Sequence, residues 1–220
     1  MTSQFAFDFP HRPAFGVEDF LVAAANAAAI AWLDRWPDWP GPALLLHGPP
    51  GSGKTHLAHV WQARSRARLE PGGTLRHDAV PELAACRAVA VDDAEDAAER
   101  PLLHLVNLTA EGGGHLLLTA AAPPTRWATS LPDLRSRLLA MPCVAVAPPD
   151  EAFIGALLLK LFADRQLVVG DEVVLYLLSR IERSFAAARR VVAALDRAGL
   201  AAQRRITVPM ARRVLDAVGD

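Results

Sequence analysis

The chain has 220 residues, of which 52% are hydrophobic, and a formal net charge of -1. This length and composition suit a globular protein with a substantial core, one domain and a small appendage, and the near-zero charge excludes a protein that coats nucleic acid by bulk attraction alone. The start lacks a basic segment followed by an apolar core and cleavage site, and the alanine-rich run from Val22 to Leu33, broken by Asn26, is too short to span a bilayer, so a cytoplasmic protein is expected. Cys86 and Cys143 make neither a disulfide framework nor a zinc site and are expected to be ordinary buried thiols.

In chain order, Gln4-Phe5-Ala6-Phe7-Asp8-Phe9 places an aromatic at every second residue after a Gln, which suits either an N-terminal strand packed on its own domain or an extended tail with Phe5, Phe7 and Phe9 as anchors. Asn26 to Trp36 is predicted as a helix capped by Asn26 and ended by Pro37, with Trp32, Trp36 and Trp39 as packing residues. Ala43 to His47 is predicted as a buried strand, followed by Gly48-Pro49-Pro50-Gly51-Ser52-Gly53-Lys54-Thr55, the pattern G-x-x-x-x-G-K-[ST] of a phosphate loop. Backbone N–H groups that converge on one phosphate need glycine where a side chain would block the approach, and Gly48, Gly51 and Gly53 meet that need. The helix expected to start near Lys54 turns its positive end to the same place, Lys54 can reach the outer phosphates, and the Thr55 hydroxyl can ligate Mg2+. Lysine occurs only at Lys54 and Lys160 in this arginine-dominated chain.

Glu70-Pro71-Gly72-Gly73 reads as a turn and Leu75 to His77 as a weak strand. Ala88 to Asp92 is a strand ending in an acidic pair. After a phosphate loop, that pattern places Asp92 as a magnesium ligand and Asp93 where a base would orient water, although such a pair can also cap the next helix. A helix over Leu102 to Leu108 closes at Glu111-Gly112-Gly113-Gly114, and two further strands, His115 to Thr119 and Cys143 to Val146, complete the set. Strands alternating with helices predict an α/β fold, a five-stranded parallel sheet covered on both faces. After Pro148-Pro149, the expected hinge, only helical periodicity remains, in groups such as Leu157, Leu158, Leu161 and Phe162, or Val174, Leu177, Leu178 and Ile181. The expected organisation is a tail over 1–14, a nucleotide-binding α/β domain over 15–148 and a helical lid over 149–220. Arg180, Arg183, Arg189, Arg190, Arg197, Arg204, Arg205, Arg212 and Arg213 crowd the lid and are read as solvated helix faces, with DNA or an acidic partner as the alternative.

These motifs together resemble AAA+ P-loop NTPases, and among them the DnaA-related family, with Hda the most similar branch. The resemblance rests on Phe20-Leu21-Val22 with Asn26, the phosphate loop continuing into His56-Leu57, Val91-Asp92-Asp93, and Leu105-Val106-Asn107. It continues through Leu117-Leu118-Thr119 before Pro123-Pro124, Leu131-Pro132-Asp133-Leu134-Arg135-Ser136-Arg137-Leu138, and Leu195-Asp196-Arg197-Ala198. It implies an ADP or ATP site including Leu21, Val22 and His56 beside the loop, Thr119 as a polar sensor, and Arg137 as an arginine finger inserted into a neighbouring subunit's site. It further implies that Gln4, Phe5, Phe7 and Phe9 bind the sliding clamp, that DnaA is a partner, that a homo-oligomer can form, and that DNA contact is indirect or weak. DnaA-like initiators carry a further C-terminal helix-turn-helix domain, whereas this sequence runs only to Asp220, which favours the Hda branch.

Two positions depart from the family pattern. Ala120, Ala121 and Ala122 stand where an acidic residue usually precedes the proline pair, and Ala186 stands where the lid usually carries an arginine facing the phosphates, with Arg189 and Arg190 one turn later. The expectation is weak intrinsic turnover, a nucleotide kept as a structural ligand, and a trans activator of hydrolysis on DnaA. The alternatives are a self-sufficient ATPase of the loader or remodeller kind and a non-catalytic clamp-tethered adaptor.

Overall fold

The computed structural model describes residues 25–202 and 204–218. The chain divides into two compact units between Ala147 and Pro148.

The first unit runs α1 (Ala27–Asp34), β1 (Ala43–His47), α2 (Lys54–Ser65), β2 (Arg68–Pro71), α3 (Val80–Ala84), β3 (Ala88–Asp92), α4 (Glu99–Glu111), β4 (His115–Ala120), α5 (Pro132–Ala140) and β5 (Cys143–Ala145). The five strands form one parallel sheet in the order β2-β3-β4-β1-β5. Because successive side chains on a strand point to opposite faces, the apolar runs divide between two cores. Leu45, Val89, Val91, Leu116 and Leu118 pack with Leu83, Leu102, Leu105, Leu134 and Leu138, residues of α3, α4 and α5. Leu44, Leu46, Ala88, Ala90 and Leu117 pack on the other face with Ala29 and Leu33 of α1 and with Leu57 and Trp61 of α2. Trp39 stacks on Trp61 with ring centroids 5.5 Å apart, and Trp36 meets Trp61 edge-on at 6.1 Å, so the tryptophans are packing residues.

Burying one such leucine contributes about 1.5–3 kcal/mol. Leu117, fully buried on the central strand, is therefore a sensitive position. Leu117→Ala is expected to lower stability by about 3 kcal/mol, measured from urea-unfolding midpoints.

The structure corrects the weak second strand. Leu75 to His77 is not paired in the sheet; β2 is Arg68–Pro71, in register with Val89–Asp92. An edge strand with half-exposed side chains needs no apolar run, and a proline at its end costs no essential bond, so the sequence pattern hid it. Leu75 is a buried plug placed after a single 3-10 turn at Gly72–Thr74. The cysteines also differ from expectation: Cys86 is half-buried and Cys143, on edge strand β5, is exposed.

The second unit contains α6 (Glu151–Asp164), α7 (Asp171–Leu178), α8 (Phe185–Ala202) and α9 (Val208–Val218). Asp150 caps α6 by accepting the Phe153 N–H at 2.7 Å, and Ser184 accepts the Ala187 N–H at 3.1 Å at the start of α8. Phe153, Ile154, Leu158, Leu177, Val192 and Leu195 are buried, and Phe153 meets Phe185 edge-on at 5.2 Å. Among the described residues no helix is long and apolar enough to cross a membrane.

Candidate functional site

Three strand ends and two glycine turns build the site at the carboxyl edge of the sheet. Leaving β1, the chain bonds the Gly48 N–H to the Ala120 carbonyl at 3.1 Å, which ties the loop to the end of β4. A Cβ on Gly48 would lie 2.1 Å from the Val146 carbonyl oxygen, so glycine is required there by contact. Gly51 and Gly53 have φ of 77° and 96°, conformations that glycine adopts without penalty. The loop thus curls around on itself and delivers Lys54 as the first residue of α2. Lys54 is 6% exposed, and its ammonium donates to the carbonyls of Gly48 at 2.8 Å and Pro49 at 3.2 Å. Ser52 is buried, yet among the described residues its hydroxyl has no partner. Pro49, Pro50 and Thr55 are exposed along the loop, while His56 is half-buried.

The acidic strand end lies beside this loop. Thr119, fully buried on β4, donates its hydroxyl hydrogen to Asp92 Oδ1 and accepts the Asp93 N–H at 2.9 Å. One threonine thereby fixes both carboxylate residues. Asp93 has φ of 51°, a left-handed conformation that a non-glycine residue adopts at some cost. Burial, the Asp92 charge and the Asp96 charge push its carboxyl pKa up, with Lys54 opposing. His47, at the last position of β1, has its pKa pushed down by burial and then by the charges of Arg126 and Lys54. Arg126 is thus a second cation on this edge, one the sequence reading did not single out.

A carboxyl whose folded pKa lies above its unfolded value stabilises the fold at acid pH, and that contribution is lost as pH rises through the folded pKa. Ionised Asp93 therefore works against the fold at neutral pH. Asp93→Asn, which keeps a side chain suited to left-handed backbone, is expected to raise the melting temperature at pH 7 by no more than about 1 °C, because Asp93 is exposed and solvent screens its charge. The gain should vanish below about pH 4, where unfolded carboxylates are protonated; thermal melts at the two pH values measure it.

Glu95 is a further residue that the sequence reading missed. Its Oε1 accepts the Ala121 N–H, and its buried Oε2 has no partner among the described residues. The left-handed turn at Asp93 sends the chain back toward the end of β4. A carboxylate thus reaches the run of alanines where the family pattern carries its own acid. Nothing in the spacing announces this, because it depends on one backbone angle.

Arg137 is placed elsewhere. It lies exposed on α5 and lines a cleft of about 590 Å3 together with Pro42, Ala43, Leu116 and Pro142, at the starts of β1, β4 and β5. The phosphate loop leaves the other end of β1, a strand's length of roughly 15 Å away. Among the described residues no hydrogen bond or ion pair engages the Arg137 guanidinium. Ala186 is exposed in the first turn of α8, and Arg189 and Arg190 are exposed one turn on. Leu21, Val22 and the peptide positions Gln4, Phe5, Phe7 and Phe9 lie outside the described residues.

Comparison with known proteins agrees with this architecture. Residues 151–215 match the family model of the Hda lid domain. Domain III of the Thermotoga maritima replication initiation protein DnaA superposes with a TM-score of 0.78 at 18% identity, covering 94% of this chain and 98% of that one. The Thermotoga maritima RuvB Holliday junction branch migration motor gives 0.66 at 16% identity, covering 88% and 68%. AMPPCP-bound DnaA from Aquifex aeolicus gives 0.67 at 15% identity, covering 83% and 65%. The chain thus joins an α/β unit with the fold of DnaA domain III to a helical unit that matches the Hda lid domain over residues 151–215.

Proposed function

We infer that this protein is a regulator of replication initiation. It holds an adenine nucleotide at its phosphate loop, docks on the DNA-loaded sliding clamp through residues 4–9, and supplies Arg137 to ATP bound by DnaA. Hydrolysis of that ATP switches the initiator off. The observation that carries the reading is the position of Arg137, exposed, without a side-chain partner among the described residues, and a full strand length from its own phosphate loop. A guanidinium there cannot serve a nucleotide bound by the same chain, but it is free to enter a neighbour's site and stabilise charge building on the transferred phosphoryl group.

The loop itself fits a nucleotide. Gly48 approaches too closely for any Cβ, and among the described residues the buried Ser52 hydroxyl has no partner and the buried Lys54 ammonium is held by loop carbonyls. Gly48 to His56 would cradle the phosphates of ADP or ATP, as the AMPPCP-bound relative suggests. Thr55 and Asp92 would hold Mg2+, which neutralises phosphate charge when bound. Leu21 and Val22 would contribute to the same nucleotide site, and the alanines at Ala121 and Ala186, which lack contacts to the terminal phosphate, would weaken discrimination of ATP from ADP and slow turnover. The tail over 1–14 is the clamp tether, with Gln4 hydrogen-bonding and Phe5, Phe7 and Phe9 as anchors, and a homo-oligomer in the cytoplasm is compatible with the free Arg137 edge.

A self-sufficient ATPase is the second reading, favoured by the intact set of Lys54, Asp92, Asp93 and Thr119. Steady-state ATP turnover by the purified chain separates the two. The inferred function requires slow turnover alone and acceleration of DnaA-bound ATP hydrolysis when clamp on DNA is present; rapid turnover by the chain alone supports the second reading.

A further inference from the structure

The arginine-rich lid carries a surface that nucleotide binding and the Arg137 edge leave unused. Between Arg183 and Val218 the only acidic residues are Asp196 and Asp216, and Asp196 lies 3.8 Å from Arg165 at the end of α6. In contrast, Arg190, Arg197, Arg204, Arg205, Arg212 and Arg213 are all exposed, and none of these six makes a hydrogen bond or ion pair through its side chain among the described residues. Arg190 and Arg197 are seven residues apart on α8, so they share one stripe about 10.5 Å apart along the axis. The Arg204 N–H bonds back to the Gly199 carbonyl at 3.3 Å, which folds the connection to α9 against the last turn of α8 and continues the positive charge around its end.

What lies between the arginines identifies the kind of partner. Ala186, Ala201 and Ala202 are exposed and short, so the guanidinium groups stand clear of the helix surface, and the one large apolar side chain exposed there is Leu200 at 72%. A protein interface of useful affinity is built around buried aromatic or aliphatic anchors, and this face has almost none. A polyanion needs no such anchors. Duplex DNA presents one charge per ~1.7 Å of axis, and its affinity comes from guanidinium and ammonium groups displacing counterions.

We propose that the α8–α9 hairpin is a sequence-independent contact surface for the phosphate backbone of double-stranded DNA. It would give the protein a grip on the duplex in addition to the clamp peptide. The net charge of -1 supplies no general attraction, so the contact is local to this face and sensitive to salt.

The test uses the intact chain and a fluorescently labelled duplex of mixed sequence, with anisotropy titrations between about 50 and 200 mM salt. The expected result is binding whose log K falls linearly with log salt, at a slope of about -3.6 to -5.4 for about four to six phosphates neutralised. Replacing Arg190, Arg197 and Arg204 together by glutamate should lower affinity at least about tenfold and flatten the slope by about 3. Arg76→Glu, at an exposed arginine of the α/β unit paired with Asp78, should change neither. Circular dichroism and nucleotide binding monitor folding; if the triple variant does not fold, the single changes to alanine should each flatten the slope by about 1. The proposal is overturned by no binding at the lowest salt, or by an unchanged slope in the variants. It is equally overturned if the variants lose an acidic protein partner while keeping DNA. Loss of DNA binding with nucleotide binding and DnaA-bound ATP hydrolysis intact would support the lid surface alone, whatever the fate of the Arg137 reading.

Discussion

Replacing Lys54 by alanine should lower nucleotide affinity by about a hundredfold, measured by titration with a fluorescent ADP or ATP analogue. Lys54 is almost completely buried, so its charge is poorly screened, and among the described residues it is held by two loop carbonyls. A phosphate arriving in the loop would exchange those neutral acceptors for a charged one, and removing one partner of a buried charge pair costs about 2–5 kcal/mol. Lys54→Arg should not restore binding, because a planar guanidinium does not fit a cavity shaped for a compact ammonium. The fold should survive Lys54→Ala, since no packing residue of either core is removed. Unchanged affinity would mean that the loop does not hold a nucleotide by its phosphates.

Replacing Arg137 by alanine should lower the acceleration of DnaA-bound ATP hydrolysis by about a thousandfold, the scale at which arginine fingers act on phosphoryl transfer. The same variant should bind nucleotide normally, because the residue lies at the opposite end of β1 from its own loop. It should also melt like the parent, since Arg137 is exposed and has no side-chain partner among the described residues. That combination, trans activity lost with binding and stability kept, distinguishes a residue that reaches into a partner from one that supports its own domain. Arg137→Lys should recover little, because the ammonium cannot make the paired contacts of the planar fork.

The parts of the site legible in the sequence are those that a few neighbouring residues determine. The phosphate loop could be read because its glycines, Lys54 and the preceding strand stand in one contiguous run, and their conformations follow from local rules. Asp92 and Asp93 could be read because an apolar strand ends on them. The two-faced sheet followed from alternating strands and helices, although β2 escaped because a polar edge strand leaves no apolar signature. Glu95 escaped for a different reason, since its contact with the Ala121 N–H depends on the left-handed turn at Asp93. The exposure of Cys143 likewise depends on β5 being an edge strand, a property of sheet order that periodicity does not encode. Arg137 could be named by resemblance, but its separation from the phosphate loop needed the parallel sheet to fix which end of each strand it faces.

The inferred role has this chain complete another protein's catalytic site. The most direct measurement is the single-turnover decay of ATP held by DnaA in the presence of clamp loaded on DNA. It compares the intact chain, Arg137→Ala and a chain lacking residues 1–9. The account predicts rapid decay with the intact chain and slow decay with both variants, the first lacking the guanidinium and the second the tether. Equal decay in all three mixtures would contradict it.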